Sequence, residues 1–280
     1  MAETTETAPP TLKTLKHDGL SIAYRDEGEG PTVLLGHCSS ASHREWLPLM
    51  QALKSDWRVV APDFIGYGSS ESWPVSRPFS LDGDVAILEA LAGKGKDPIH
   101  LVGHSYGAAL ALEAATRLGS RVKSLSLVEP VSFHLLRQTH RPEWNEIEAL
   151  GVKVLTAVAR GDDRAAAGAF MRYWLGDLRW FLAPKRFKQA IAATIPKVAL
   201  EFTVAIDATT SLADYAEIEA PTLLIVGGKT RKPAAAVVQM LQQAMPNAES
   251  VTLPGAGHMS PFTHQARVNQ LILAQLAAHR

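Results

Sequence analysis

The chain has almost no cysteine. Cys38 stands alone among 280 residues, so no intrachain disulfide can form, and a reducing compartment such as the cytoplasm is the expected setting. It also lacks a charge excess of either sign, with 28 basic and 28 acidic side chains. A nucleic-acid partner is therefore not expected, because that function needs a basic face. No apolar run approaches the roughly 18 residues that span a bilayer, and the start, Met1 to Pro10, has neither a basic nor an apolar leader region. That start reads as a disordered tail over residues 1–10. No membrane partner is expected. Arg179 to Lys188 mixes basic and aromatic residues and offers a membrane-surface alternative, but it is short and broken by Pro184, so a solvated helix is preferred.

What the chain does have is apolar sequence, 46% of residues, in a strand–helix rhythm. Strands are expected at Leu20 to Tyr24 (as an early edge), Thr32 to Leu35, Trp57 to Ala61, Ile99 to Val102, Val122 to Val128, Thr222 to Val226 and Glu249 to Leu253. Helices are expected at Trp46 to Leu53, Leu81 to Leu91, after Ser105, at Pro233 to Met245 and at Pro261 to Ala278, the last with Ser260 as its capping hydroxyl. This alternation predicts an α/β fold with a mostly parallel central sheet and helices on both faces. Residues 132–214 interrupt it. They carry helical patterns at Glu143 to Arg160, Arg164 to Trp174 and Pro184 to Ile195, with no convincing strand. They also concentrate Trp144, Phe170, Tyr173, Trp174, Trp180, Phe181, Phe187 and Phe202. A helical cap inserted into a core of residues 11–131 and 215–280 is the expected organisation. Most of these aromatics should pack cap on core, and a minority should line a pocket.

Gly103-His104-Ser105-Tyr106-Gly107 lies between the strand Ile99 to Val102 and a helix-forming run beginning at Ala108. A Gly-x-Ser-x-Gly in that context is a nucleophile elbow, whose tight turn needs small neighbours and exposes the serine hydroxyl. An ordinary turn serine is the plainer alternative. A serine needs a base at neutral pH. Of the ten histidines, His258 follows a strand, precedes the last helix and has Gly255 and Gly257 beside it. Loops after parallel strands share one edge with the elbow, so His258 is the candidate base rather than a structural loop histidine. Gly228-Lys229-Thr230 is no phosphate loop, because Leu223 stands where that motif requires glycine.

With these motifs together, the chain resembles the α/β-hydrolase fold superfamily over nearly its full length. Ala61 to Ser69 is similar to the family's turn after the fourth strand, Gly103 to Gly107 to its elbow, Pro221 to Gly227 to its seventh strand, and Gly255 to His258 to its histidine loop. The resemblance implies a serine, histidine and acid acting together. Family members usually carry an aspartate just after the seventh strand, but this chain has Thr230 there. Some relatives use an acid after the sixth strand, which points to Glu129, with Asp207 as the reserve. The oxyanion donors implied are the Tyr106 N–H and a second from Gly36-His37-Cys38-Ser39-Ser40: Ser39 first and Cys38 next. His37 is expected to organise that loop, and His104 to be structural. Cys38 is expected to pack rather than act as a thiol nucleophile.

The function implied is hydrolysis of a carboxylic ester of a small, largely apolar substrate through an acyl-enzyme on Ser105, with no metal or organic cofactor. Carbon–carbon bond hydrolysis with the same residues stays open. So does a catalytically weak, ligand-binding member of the fold.

Overall fold

The structure, a computed structural model, describes residues 12–74, 77–93, 95 and 97–280, apart from the side chains of 205–207. The expected N-terminal tail lies outside the described residues. Eight strands form one sheet in the order β1-β2-β4-β3-β5-β6-β7-β8. They are β1 (Lys13–His17), β2 (Leu20–Glu27), β3 (Thr32–Gly36), β4 (Arg58–Pro62), β5 (Ile99–His104), β6 (Val122–Val128), β7 (Thr222–Gly227) and β8 (Ala248–Leu253). The six strands from β4 to β8 run parallel, while β1 and β2 are antiparallel to their neighbours. β2 is therefore not the edge expected for Leu20 to Tyr24; β1 covers it. The connection is Asp18-Gly19, with φ of 47° and 79°. Both are left-handed, the geometry of a tight hairpin turn that Asp-Gly favours.

The middle strands are buried on both faces, as β5 and β7 are throughout. Alternate residues feed two apolar layers, so Leu34 and Leu101 join one, Val33 and Val102 the other. The second layer is closed by α1 (Leu47–Leu53) and, near the C-terminus, by Val268, Ile272 and Leu276. The first is closed by α2 (Leu81–Ala92) and α3 (Tyr106–Leu118).

Between β6 and β7 the chain forms α4 (His134–Gln138), α5 (Trp144–Ala159), α6 (Asp163–Leu175), α7 (Asp177–Leu182), α8 (Lys185–Asp207) and α9 (Leu212–Ala216). No strand occurs there among the described residues. α8 runs well past the expected Ile195 and contains Pro196, because the buried face set by Ile191, Ile195, Val198 and Ala199 continues through it. The stretch Arg179 to Lys188 divides between α7 and α8, with Trp180 buried and Phe181 exposed. No described helix is long and apolar enough to cross a membrane.

After β7 come α10 (Lys232–Ala244), then β8, α11 (Ser260–Thr263) and α12 (Gln265–Ala278). The single terminal helix expected from Pro261 is thus two, broken at His264. Ser260 is not a cap. It is the first residue of α11, and its Oγ is buried with no hydrogen-bond partner among the described residues.

Candidate active site

β5 ends at His104 and α3 begins at Tyr106, so Ser105 alone makes the turn. Its φ of 54° and ψ of −114° are strained for a residue with a side chain. The turn holds because its neighbours have no side chains to obstruct it. A Cβ on Gly103 would fall 2.6 Å from Ala108 Cα, and one on Gly107 would overlap the Gly36 carbonyl. The Ser105 N–H donates to Val128 O at 2.9 Å, which ties the turn to the end of β6.

His258 arrives on the loop after β8, where Gly255 takes a φ of 77°. Its Nε2 lies 2.9 Å from Ser105 Oγ. Its Nδ1 lies 2.7 Å from Glu129 Oε2. Glu129 follows β6 directly, with a φ of 44°. It also accepts the Gly227 N–H on Oε1 at 2.7 Å and the Thr230 hydroxyl on Oε2 at 2.6 Å. Thr230 thus supports the carboxylate from the place where the sequence comparison expects an acid. An ionised carboxylate only accepts, so the His258 proton sits on Nδ1, and the Nε2 lone pair faces the Ser105 hydroxyl. The side chain of Asp207, the reserve acid, lies outside the described residues.

The electrostatics suit that assignment. Burial alone would raise the Glu129 carboxyl, but the His258 hydrogen bond and charge outweigh it and hold it below the ordinary carboxylate value. Burial lowers His258, and the adjoining Glu129 offsets this only in part, so the ring rests neutral near pH 7. A neutral ring can take a proton and a charged one cannot. Turnover should therefore be constant near neutrality and fall as acid protonates His258, with the limb below the ordinary imidazole value of about 6.5. A kcat/KM profile from pH 4 to 9 measures this; a limb above 7 would contradict it.

His258 is held from two further sides. Trp174 of α6 stacks on its ring, with centroids 3.7 Å apart and planes at 24°. His104 Nε2 lies 2.9 Å from the His258 carbonyl oxygen, and His104 Nδ1 lies 2.6 Å from Glu45 Oε1. His104 is thus fully engaged in supporting the loop.

The loop after β3 corrects one expectation, Cys38 as a donor, whereas His37 organises the loop as expected. The Cys38 N–H is spent on Glu45 Oε2 at 2.8 Å, so it does not serve as an oxyanion donor. His37 is buried away from the cavities, its Nδ1 on Cys38 O at 2.7 Å and its Nε2 accepting the Phe64 N–H at 3.0 Å. Ser39 and Tyr106 both line the recess that contains Ser105. Tyr106, as the first residue of α3, has no intrahelical acceptor for its N–H. Cys38, Glu45 and His104 each bring a possible metal-ligand atom within 4.8 Å of the others. Glu45 and His104 are already committed to hydrogen bonds, and burial followed by the Glu45 charge pushes the Cys38 thiol far up, so this donor set does not suit a metal.

Two cavities meet at Ser105. The outer one, about 410 Å³, is lined by His258, Cys38, Arg44, Trp174 and Phe187 among others. The inner one, about 50 Å³, is lined by Ser39, Phe133, Phe170, Phe202 and Glu201 among others. Of the eight aromatics noted in the insertion, Phe170, Trp174, Phe187 and Phe202 line these cavities.

Sequence reasoning passed over one cluster. Lys197 of α8 is buried, with Nζ 2.8 Å from Asp84 Oδ2 and 3.1 Å from Glu201 Oε1. The Tyr106 hydroxyl donates to Asp84 at 2.7 Å, and the Tyr67 hydroxyl to Glu201 Oε1 at 2.6 Å. Lys197 and Glu201 stand four residues apart on one helix, a spacing that in sequence looks like a solvated surface pair.

The model of the alpha/beta hydrolase family matches residues 33–271. A 2-hydroxy-6-oxo-2,4-heptadienoate hydrolase of Pseudomonas putida is 35% identical over 126 residues, 42% of this chain and 44% of that protein. The chain spans less than half the length of that relative, and 39% of another, a Shewanella oneidensis decarboxylase. A putative non-heme chloroperoxidase of Synechocystis is 28% identical over 91% of this chain and 94% of that one. Among solved structures, a hydrolase from Pseudomonas aeruginosa superposes with a TM-score of 0.76 at 26% identity, covering 95% of this chain and 98% of that one.

Proposed function

The chain belongs to the alpha/beta hydrolase family, and on that premise we propose that it is a serine hydrolase of carboxylic esters with small, largely apolar groups. The observation that carries this reading is the chain of contacts from Ser105 Oγ through His258 to Glu129, at 2.9 and 2.7 Å.

In this reading Ser105 Oγ attacks the ester carbonyl while His258 Nε2 takes its proton. The oxyanion accepts from the Tyr106 N–H and from a donor at Ser39. His258 then protonates the departing alkoxide, leaving an acyl-enzyme on Ser105. Water, deprotonated by the same imidazole, attacks the acyl carbon, and Ser105 recovers its proton. Glu129 keeps the imidazole in the working tautomer and stabilises its charged form. The helices of residues 132–214 act as a cap, and Trp174 and Phe187 give the outer cavity its apolar lining.

A second reading draws on the Pseudomonas putida relative, whose name describes hydrolysis of an oxo-dienoate. Cleavage of a carbon–carbon bond next to a ketone would use the same three residues. The test of the main reading is labelling with a fluorophosphonate probe, located by peptide mass spectrometry, beside assays of short-chain p-nitrophenyl esters. Label confined to Ser105 with ester turnover is the expected result. Folded protein that neither labels nor turns over esters would favour a ligand-binding member of the fold. Label without ester turnover would favour the carbon–carbon reading.

A further inference from the structure

The buried cluster of Asp84, Lys197 and Glu201 takes no part in the proton relay, yet Glu201 lines the same inner recess as Ser105. Two carboxyl groups face one ammonium, so the cluster holds one acid more than its base can pair. Burial holds the Glu201 carboxyl above its ordinary value. A carboxylate offers about four acceptor positions. Three are used: Tyr67 and Lys197 donate to Oε1, and the Ser39 hydroxyl donates to Oε2 at 2.6 Å. One acceptor position on Oε2 remains, on a side chain that borders the recess. The other walls there are mainly apolar, including Phe133, Val198 and Phe202.

Which part of a substrate enters this recess follows from the proton relay. The leaving group receives its proton from His258, and His258 lines the outer cavity. It is not among the residues lining the inner recess. The alkoxide side therefore occupies the outer cavity, and the acyl side occupies the inner one. The inner volume of about 50 Å³ limits the acyl group to a few heavy atoms.

We infer that the inner recess is an acyl subsite selective for short acyl groups bearing a hydroxyl, and that Glu201 Oε2 accepts the hydrogen bond from that hydroxyl. This rests on the ester-hydrolase reading above. An unsubstituted acyl chain would strip Glu201 of water and give nothing in return, and sites built around a substrate hydroxyl discriminate against analogues lacking it for this reason. Glu201 is a specificity residue here, and Lys197 and Asp84 hold it in place.

The test compares kcat/KM for p-nitrophenyl 3-hydroxybutyrate and p-nitrophenyl butyrate. The wild-type protein should favour the hydroxylated ester by about tenfold or more. Glu201→Leu removes the acceptor and leaves Asp84 paired with Lys197, so the ratio should drop to one or below. A wild-type ratio of one or less overturns the inference without recourse to any variant, as does a ratio that Glu201→Leu leaves intact. For a matched pair with the hydroxyl on the alcohol side, 2-hydroxyethyl butyrate and propyl butyrate, the ratio of kcat/KM should be the same in the wild-type protein and in Glu201→Leu. If that pair responds instead, the two cavities are assigned the wrong way round and the inference falls. Turnover of neither p-nitrophenyl ester sinks the underlying reading as well, whereas equal turnover of both sinks this inference alone.

Discussion

Ser105→Ala should lower kcat for p-nitrophenyl butyrate by about 10⁶-fold, to the floor of the assay, and abolish fluorophosphonate labelling. The size follows from what is removed. No neighbour can replace the hydroxyl: Cys38 is the sole thiol, and burial and Glu45 hold it firmly protonated. The backbone donors survive, so a residue of catalysis over water of about 10³ to 10⁴ is expected. Folding should tolerate the change, since alanine occupies less space at the same strained turn. Thermal melting beside the kinetics separates a lost nucleophile from a lost fold. A variant within tenfold of wild type would end the serine reading.

Glu129→Gln should lower kcat by about 10⁴-fold. The side chain is isosteric but cannot meet its three donors, the Gly227 N–H, the Thr230 hydroxyl and His258 Nδ1–H. With the amide nitrogen toward His258, Nδ1 must become the acceptor, and the ring proton moves to Nε2. It then points at Ser105 Oγ and blocks proton transfer. With the amide reversed, its NH₂ meets the Gly227 N–H, two donors face to face. One orientation disables the base and the other opposes a buried backbone group. Near wild-type turnover in this variant, together with loss in Asp207→Asn, would move the role to Asp207.

The parts of the fold that could be read in the sequence are those where one local rule decides. Strands buried on both faces, such as β5 and β7, are continuous apolar runs. The elbow was legible because two glycines, a strand and a helix former coincide at Ser105. Glu129 was legible as a lone acid at the end of an apolar strand. β1 was not, because Lys13 to His17 is largely exposed and carries lysines at an edge. Its signal was the Asp18-Gly19 turn. The break at His264 was hidden because both sides of it are helical. The loss of Cys38 as a donor was not legible, because Glu45 reaches its N–H from the 3-10 turn ahead of α1, and no local pattern announces that. The inner recess depends on α6 and α8 meeting the elbow and the loop after β3, and that packing is written in no single segment.

The sharing of Glu129 between β6 and β7 has a mechanical side. The two strands are neighbours, and the Glu129 side chain leaves the end of one to accept from the Gly227 N–H and the Thr230 hydroxyl at the end of the other. One carboxylate therefore clamps two strand ends and orients His258 at once. A carboxylate in place of Thr230 would set like charge against Glu129 and push its carboxyl upward, whereas a hydroxyl donates to it. Threonine at that position closes the clamp, so a disturbance of either strand end is felt at the imidazole.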